Sequence, residues 1–174
     1  RRLERLLRRH PVAVTHHDKR AGVIGDHISD KIRVFGRYER EELEALDAFV
    51  LARLPGRRRC CVDVGANIGN HCLHFSRRFD QVLAFEPNPL AVDLLQWNLR
   101  ANGIRNVTVH AVGLAEQAST ATMSVVDRNL GASHLDPGPA AGSAAGDRVQ
   151  VNLVRGDDLL LAEDTRHTRT LLEG

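Results

Sequence analysis

Val62-Asp63-Val64-Gly65-Ala66-Asn67-Ile68-Gly69-Asn70 is the stretch on which the reading of this chain turns. The run Cys60-Cys61-Val62-Asp63-Val64 is short, apolar and closed by Gly65, which is the pattern of a buried strand. Residues 70–78 read as a helix, so the glycines fall in a strand-to-helix turn. Gly65 and Gly69 permit tight turning and close approach of the backbone to a ligand. The helix that follows offers its free N–H groups to the same place. A dinucleotide-binding loop would read G-x-G-x-x-G. Here the spacing is G-x-x-x-G, with Asn67 where the second Gly would stand. Asn tolerates left-handed backbone angles, but its side chain takes room that a pyrophosphate needs. Asp63, just ahead of the loop, is badly placed for a phosphate and well placed for an ammonium, directly or through water. This combination favours S-adenosylmethionine over NAD.

Glu86 lies 23 residues beyond Asp63, at the end of a second apolar run, 81–85. A carboxylate there can accept both ribose hydroxyls of an adenosine. NAD proteins use the same device at about 20 residues, so Glu86 alone does not choose between the cofactors. Residues 89–102 form a helix with Leu90, Leu94 and Leu95 inward and Gly103 in the stop position. Residues 106–112 read as a third strand. Strands alternating with helices of this length imply a parallel sheet with right-handed crossovers, a doubly wound α/β centre.

The flanks are less regular. Upstream, 41–54 is a helix with Leu43, Leu46, Phe49, Val50 and Leu54 on one face, acidic residues in its first turn and Pro55-Gly56 at its end. Residues 1–9, RRLERLLRR, form a short basic amphipathic helix whose Leu stripe packs on the domain, with the Arg side solvated. Downstream, 120–126 and 149–154 read as strands around 136–147, where ten of twelve residues are Pro, Gly, Ala or Ser. Residues 157–161 begin a helix, with Asp157 and Asp158 as its capping start.

Composition bounds the rest. A chain of 174 residues is expected to form one domain, and 43% hydrophobic with 26% charged residues excludes a disordered or collagen-like chain. No apolar run reaches the roughly 20 residues needed to cross a bilayer. The sole Met is Met123, so residue 1 is not a translation start; a removed leader or a fragment is expected. Basic side chains number 15 against 9 acidic ones in residues 1–60, and 9 against 13 beyond. Cys60, Cys61 and Cys72 make an odd count without a C-x-x-C pair, against a disulfide framework or zinc ribbon. No secretory apolar region follows the basic start, so a cytoplasmic, reduced protein is expected. Cys60 and Cys61, adjacent on a strand, point to opposite faces and are read as core. His71 and His74 share a helix face, but no motif supplies two further ligands, so no metal is expected. They are read as surface or cofactor-adjacent histidines.

The segments DVGANIG (63–69) and AFEPNP (84–89) resemble the FkbM-type family of S-adenosylmethionine-dependent O-methyltransferases. Gly36-Arg37-Tyr38-Glu39 is similar to that family's G-x-Y-E segment, and Asn98 and Asn102 match its N-x-x-x-N spacing. Strand 106–112, Gly131-Ala132-Ser133 and Asp157-Asp158-Leu159 match too, so the resemblance covers roughly residues 25–174. It implies a Rossmann-like class I methyltransferase sheet, mostly parallel and doubly wound, cut off after its fourth core strand. Residues 1–56 are then an N-terminal helical segment and 57–174 the cofactor-binding half. The resemblance further implies that Glu39, Asp63, Gly65, Ala66, Asn67, Gly69 and Asn70 bind the cofactor. Glu86, Pro87, Asn88, Val112 and Gly113 complete that set, with 112–114 near the adenine. The family continues with a strand like K-I-D-V-E-G; this chain has Arg169-Thr170-Leu171-Leu172-Glu173-Gly174, with Leu171 in place of the Asp. Glu173 is the one candidate catalytic residue carried over.

The expected function is methylation of a hydroxyl on a glycan, polyketide or similar small metabolite. The alternative is a truncated or degenerate cofactor-binding domain without turnover, motivated by Leu171 and the early stop. An NAD-dependent oxidoreductase is disfavoured by Asn67. Nucleic-acid partners are not expected, because no aromatic N-P-P-Y-like segment is present to hold a flipped base.

Overall fold

The structure is a computed structural model and describes residues 12–14, 18–49, 53, 60–126, 129–135 and 147–159. The chain enters through β1 (Val12–Val14) and β2 (Ala21–Val23), paired antiparallel with Val12 opposite Val23. Helix α1 (His27–Phe35) follows. The Asp26 side chain accepts the Ser29 N–H at its start, and Gly36 at φ 77° turns the chain out at its end. Helix α2 (Arg40–Phe49) keeps the expected acidic first turn and buries Leu43. Strands β1 and β2 and helix α1 are elements that the hydrophobic pattern had not marked.

The centre is as expected. β3 (Cys60–Val64), α3 (Asn70–Phe75), β4 (Gln81–Phe85), α4 (Pro89–Ala101) and β5 (Val107–His110) alternate, and the three strands pair parallel in the order β3-β4-β5. Val64 lies opposite Phe85, and Phe85 opposite His110. That register brings Gly65, Glu86 and Ala111 to one edge, the carboxyl ends of the strands, where open α/β sheets bind ligands. Pro89 opens α4 behind the N-cap Asn88. α3 stops at Phe75, three residues before the expected end, where the Arg77 and Arg78 N–H groups bond three residues back instead of four and the chain passes into a turn.

The expected strand 106–112 divides. β5 ends at His110, and the chain passes through Ala111 and Val112 into β6 (Gly113–Ala115). β6 belongs to a second, mixed sheet with β7 (Ser119–Val125), β8 (His134–Leu135) and β9 (Asp147–Arg155), in the order β6-β9-β7-β8. β7 and β9 pair antiparallel from Ser119–Leu153 to Val125–Asp147. Residues 1–9, most of 136–147 and the whole of 169–174, with Glu173, lie outside the described residues.

Two apolar cores share α4 as their wall. Ala66, Cys72, Leu73, Val82, Ala84, Leu95 and Leu99 pack between the parallel sheet and its helices. Leu94, one residue before Leu95, faces the other core, with Val23, Ile32, Ile68, Val125 and Val151. Cys60 and Cys61 correct the sequence reading. Cys60 is exposed with Val62 and Val64, because that face of β3 is open, and Cys61 is half-buried; Cys72 is the core cysteine.

Candidate functional site

The loop from Gly65 to Gly69 is pinned to the sheet by its own backbone. The N–H groups of Gly65 and Ala66 both donate to the Phe85 carbonyl, at 2.9 and 3.1 Å, and Gly69 N–H donates to Ala66 at 2.8 Å. Gly65 (φ 77°), Asn67 (φ 48°) and Gly69 (φ 88°) all stand in the left-handed region, so the Asn reading at the middle position holds. The two glycines differ in what surrounds them. A Cβ on Gly69 would stand 2.4 Å from Leu95 Cδ1, whereas one on Gly65 would meet nothing within 4 Å. Space therefore remains above the loop at Gly65, as a ligand cradle requires.

Two carboxylates adjoin the loop, Asp63 ahead of it and Glu86 bonded to it, and both are 6% exposed. Asp63, one residue before the end of β3, accepts a hydrogen bond from the Cys72 thiol at 3.0 Å. Burial first, and the charge of Asp63 second, push the Cys72 thiol far above its ordinary range, so it stays protonated and donating. Glu86 follows β4 and grips the loop: Oε2 accepts the Asn67 N–H at 2.9 Å and Oε1 the Asn88 N–H at 2.7 Å. Burial pushes the Glu86 carboxyl above its ordinary value; the amides of Asn88 and Asn67 oppose this, and the nearby charge of Asp63 adds to it. Among the described residues no ion pair involves Asp63 or Glu86.

The other expected site residues fall around this centre with varied occupations. The Asn88 side chain caps α4 through Leu90 N–H at 3.0 Å and reaches Ser133 Oγ at 3.3 Å. Asn70 faces the N-terminal segment: its Oδ1 accepts from Arg20 at 2.7 Å and from Tyr38 N–H at 3.2 Å, and its Nδ2 donates to the Tyr38 carbonyl at 2.8 Å. That clamp holds Glu39, at φ 51°, beside the start of α3, where its carboxylate pairs with His71 at 3.1 Å. Gly113 is buried against Leu153 and Pro87, and a Cβ there would stand 2.7 Å from Leu153 Cδ2. Val112, half-buried, precedes it.

His74 corrects the surface reading, for it is buried against Arg37 and Asp47. Its ring is fully buried, with Nδ1 accepting from Arg37 at 3.1 Å and Nε2 donating to Asp47 at 2.9 Å, while Arg78 Nε holds the other Asp47 oxygen at 2.6 Å. Burial depresses its pKa, with Asp47 opposing. Arg20 was missed altogether. It is 3% exposed, pairs with Asp18 at 2.9 Å, and reaches Asn70 across fifty residues, which no local pattern announces.

No family model matches the chain. Methyltransferase sdnD of Sordaria araneosa is 37% identical to it over 90 residues, which are 50% of this chain and 34% of that protein. The chain thus spans about a third of the length of the curated relative it matches. Among solved structures, the precorrin 8w decarboxylase of Methanobacterium thermoautotrophicum is 29% identical, with a TM-score of 0.37 over 43% of this chain and 39% of that one. Methyltransferase FkbM from Methylobacillus flagellatus is 20% identical, with a TM-score of 0.39 over 63% of this chain and 25% of that one. The likeness to sdnD agrees with the resemblance carried by residues 63–69 and 84–89: over half its length, this chain is similar to a methyltransferase.

Proposed function

We propose that the chain forms the cofactor-binding half of an S-adenosylmethionine-dependent methyltransferase acting on a hydroxyl of a small metabolite, of the glycan or polyketide kind. The observation that carries this reading is the pair of buried carboxylates, Asp63 and Glu86, adjoining an open glycine turn and without a cationic partner among the described residues. Buried anions are costly unless a cation or hydrogen-bond donors meet them. A ligand with a sulfonium and an ammonium answers that demand, whereas a pyrophosphate adds negative charge to it. Asp63 would hold the ammonium. Each Glu86 oxygen has one backbone amide and a second lone pair, so it can still accept a ribose hydroxyl.

When bound, the sulfonium supplies an electrophilic methyl group. The chain's part is then to hold the acceptor in line and to keep water away. A cleft of about 530 Å3 opens beside Glu39, lined by His27, Lys31, Phe35, Tyr38 and Arg40 among others, and suits a small polar acceptor. Glu173 stays the proposed base, and Glu173→Gln would lower turnover without changing cofactor affinity. A cytoplasmic setting belongs to the same reading; no disulfide joins the cysteines among the described residues, and no helix among them is long and apolar enough to cross a membrane.

Calorimetric titration of the chain with S-adenosylhomocysteine, with NAD in parallel, tests the proposal. Binding of the first alone, weakened by Glu86→Ala, is expected. Binding of NAD, or of neither by a folded sample, overturns it.

A further inference from the structure

Helix α4 turns Asn98 and Asn102, four positions apart, toward the segment that runs into β2. Asn98 Oδ1 accepts the Ala21 N–H at 2.6 Å, and its Nδ2 donates to the Ala21 carbonyl at 3.1 Å. One turn later Asn102 does the same for Lys19, accepting its N–H at 3.0 Å and donating to its carbonyl at 2.8 Å. A carboxamide carries the same donor and acceptor as a peptide group, so the helix presents two peptide mimics where a neighbouring strand would present peptides. The spacings agree: four helical residues rise about 6 Å, and two extended residues span about 6.6 Å. This is a physical content for the N-x-x-x-N spacing.

Asn98 makes one bond more. Its Nδ2 also donates to the Ile68 carbonyl at 2.8 Å, inside the glycine turn. The side chain is 1% exposed, so water cannot stand in for any of these partners. Among the described residues the Asn102 side chain makes no hydrogen bond to the loop; its remaining side-chain bond is to the Asn98 carbonyl, at 2.8 Å. Arg20, between the two gripped residues, reaches Asn70 on the far side of the same turn at 2.7 Å. The turn is therefore buttressed at Ile68 by the residue that holds Ala21, and at Asn70 by Arg20 itself.

We propose that Asn98 is a positioning residue for the 65–69 loop, and that docking of residues 19–21 onto α4 is a condition for the shape of the cofactor site. The link to the cofactor rests on the function proposed above; the link to the loop does not. Hydrogen exchange of the full chain and titration with S-adenosylhomocysteine separate the two. Asn98→Asp removes both donated bonds and turns a carboxylate toward the two carbonyls. The Asn67 and Ile68 amides are expected to exchange about tenfold faster, and the Kd to rise about tenfold, the scale of one buried hydrogen bond lost. Leu83→Ala, the truncation of a buried side chain that belongs to neither of the two cores containing Ile68 and Ala66, provides a destabilised control in which loop exchange and Kd keep their wild-type values. Asn102→Ala is expected to speed exchange at Lys19 alone. Wild-type loop exchange in a folded Asn98→Asp or Asn98→Leu chain refutes the positioning role. Faster loop exchange with an unchanged Kd refutes the coupling to the cofactor. Failure of the wild-type chain to bind S-adenosylhomocysteine refutes that coupling together with the proposed cofactor, while the exchange comparison still decides whether Asn98 holds the loop.

Discussion

Replacing each of the two loop glycines by alanine separates backbone strain from steric crowding. Both Gly65 and Gly69 hold positive φ, at 77° and 88°, so alanine at either costs about 1–2 kcal/mol from the left-handed backbone. At Gly65 nothing further is met. At Gly69 the new methyl would lie 2.4 Å from Leu95 Cδ1, and Leu95 is fully buried. Carbon atoms rest at roughly 3.5–4 Å, so the leucine must retreat by about 1 Å within a packed core. Such overpacking adds about 1–3 kcal/mol. Gly69→Ala is thus expected to cost about 2–5 kcal/mol and Gly65→Ala about 1–2 kcal/mol. At about 2–4 °C per kcal/mol for a chain of this size, the Tm of Gly69→Ala falls by about 4–20 °C and that of Gly65→Ala by about 2–8 °C. Urea melts with matched slopes would give the free energies directly. The order inverts for ligand: the Gly65 methyl points into the space assigned to the cofactor, so the milder variant is the one that loses S-adenosylhomocysteine binding while folded. Equal destabilisation by the two substitutions refutes the Leu95 collision, and undiminished affinity in Gly65→Ala refutes the placement of the ligand.

The raised pKa of Glu86 makes cofactor affinity depend on pH. The ionised carboxylate is the acceptor, so the affinity for S-adenosylhomocysteine is expected to rise with pH through a window above 4.5, as calorimetry at several pH values would show. The same shift works against stability. The native state holds the Glu86 proton more tightly than the unfolded chain, so its contribution falls as pH rises through that window, and Glu86→Gln removes the slope. His74 has the opposite sign. Its native pKa is depressed, so the stability it contributes is present above 6.5 and is lost as pH falls below 6.5 through the lowered value; thermal melts should lose that dependence in His74→Gln. Thiol labelling should sort the cysteines: Cys60, on the open face, reacts first, Cys61 lags with a pKa pushed up to about 11, and Cys72 reacts only on unfolding.

What the sequence announced was what short stretches encode on their own. The 63–69 loop, β4 and α4 follow from glycines at turn positions, a closed apolar run, and Asn88-Pro89 ahead of a periodic helix. Helix α1 was equally legible, for Asp26 and Gly36 bracket it with caps and Ile28, Ile32 and Phe35 repeat at helical spacing, yet the sequence reading left it unmarked. Other features depend on partners far along the chain. The antiparallel pairing of β7 with β9 crosses a Gly- and Ala-rich interval that carries no register signal. The burial of His74 depends on Arg37 and Asp47, which lie elsewhere in the chain, and helical spacing alone left it a surface or cofactor-adjacent residue. Glu86 was placed correctly at a strand end, but that its carboxylate would bind two backbone amides could only come from the folded turn. Asn98 and Asn102 were visible as a spacing whose use became clear only when Lys19 and Ala21 were found beside them.

The shared wall formed by α4 bears on how the molecule comes apart. Leu94 and Leu95 are successive residues committed to different cores, each with at most 1% of its surface open. Neither sheet can detach from this helix without stripping cover from the other. The described portion should therefore open as a single cooperative unit rather than in two stages. A single cut between residues 135 and 147 would leave the two pieces associated, because β9 stays paired with β6 and β7 and shares a core with Leu94 of α4.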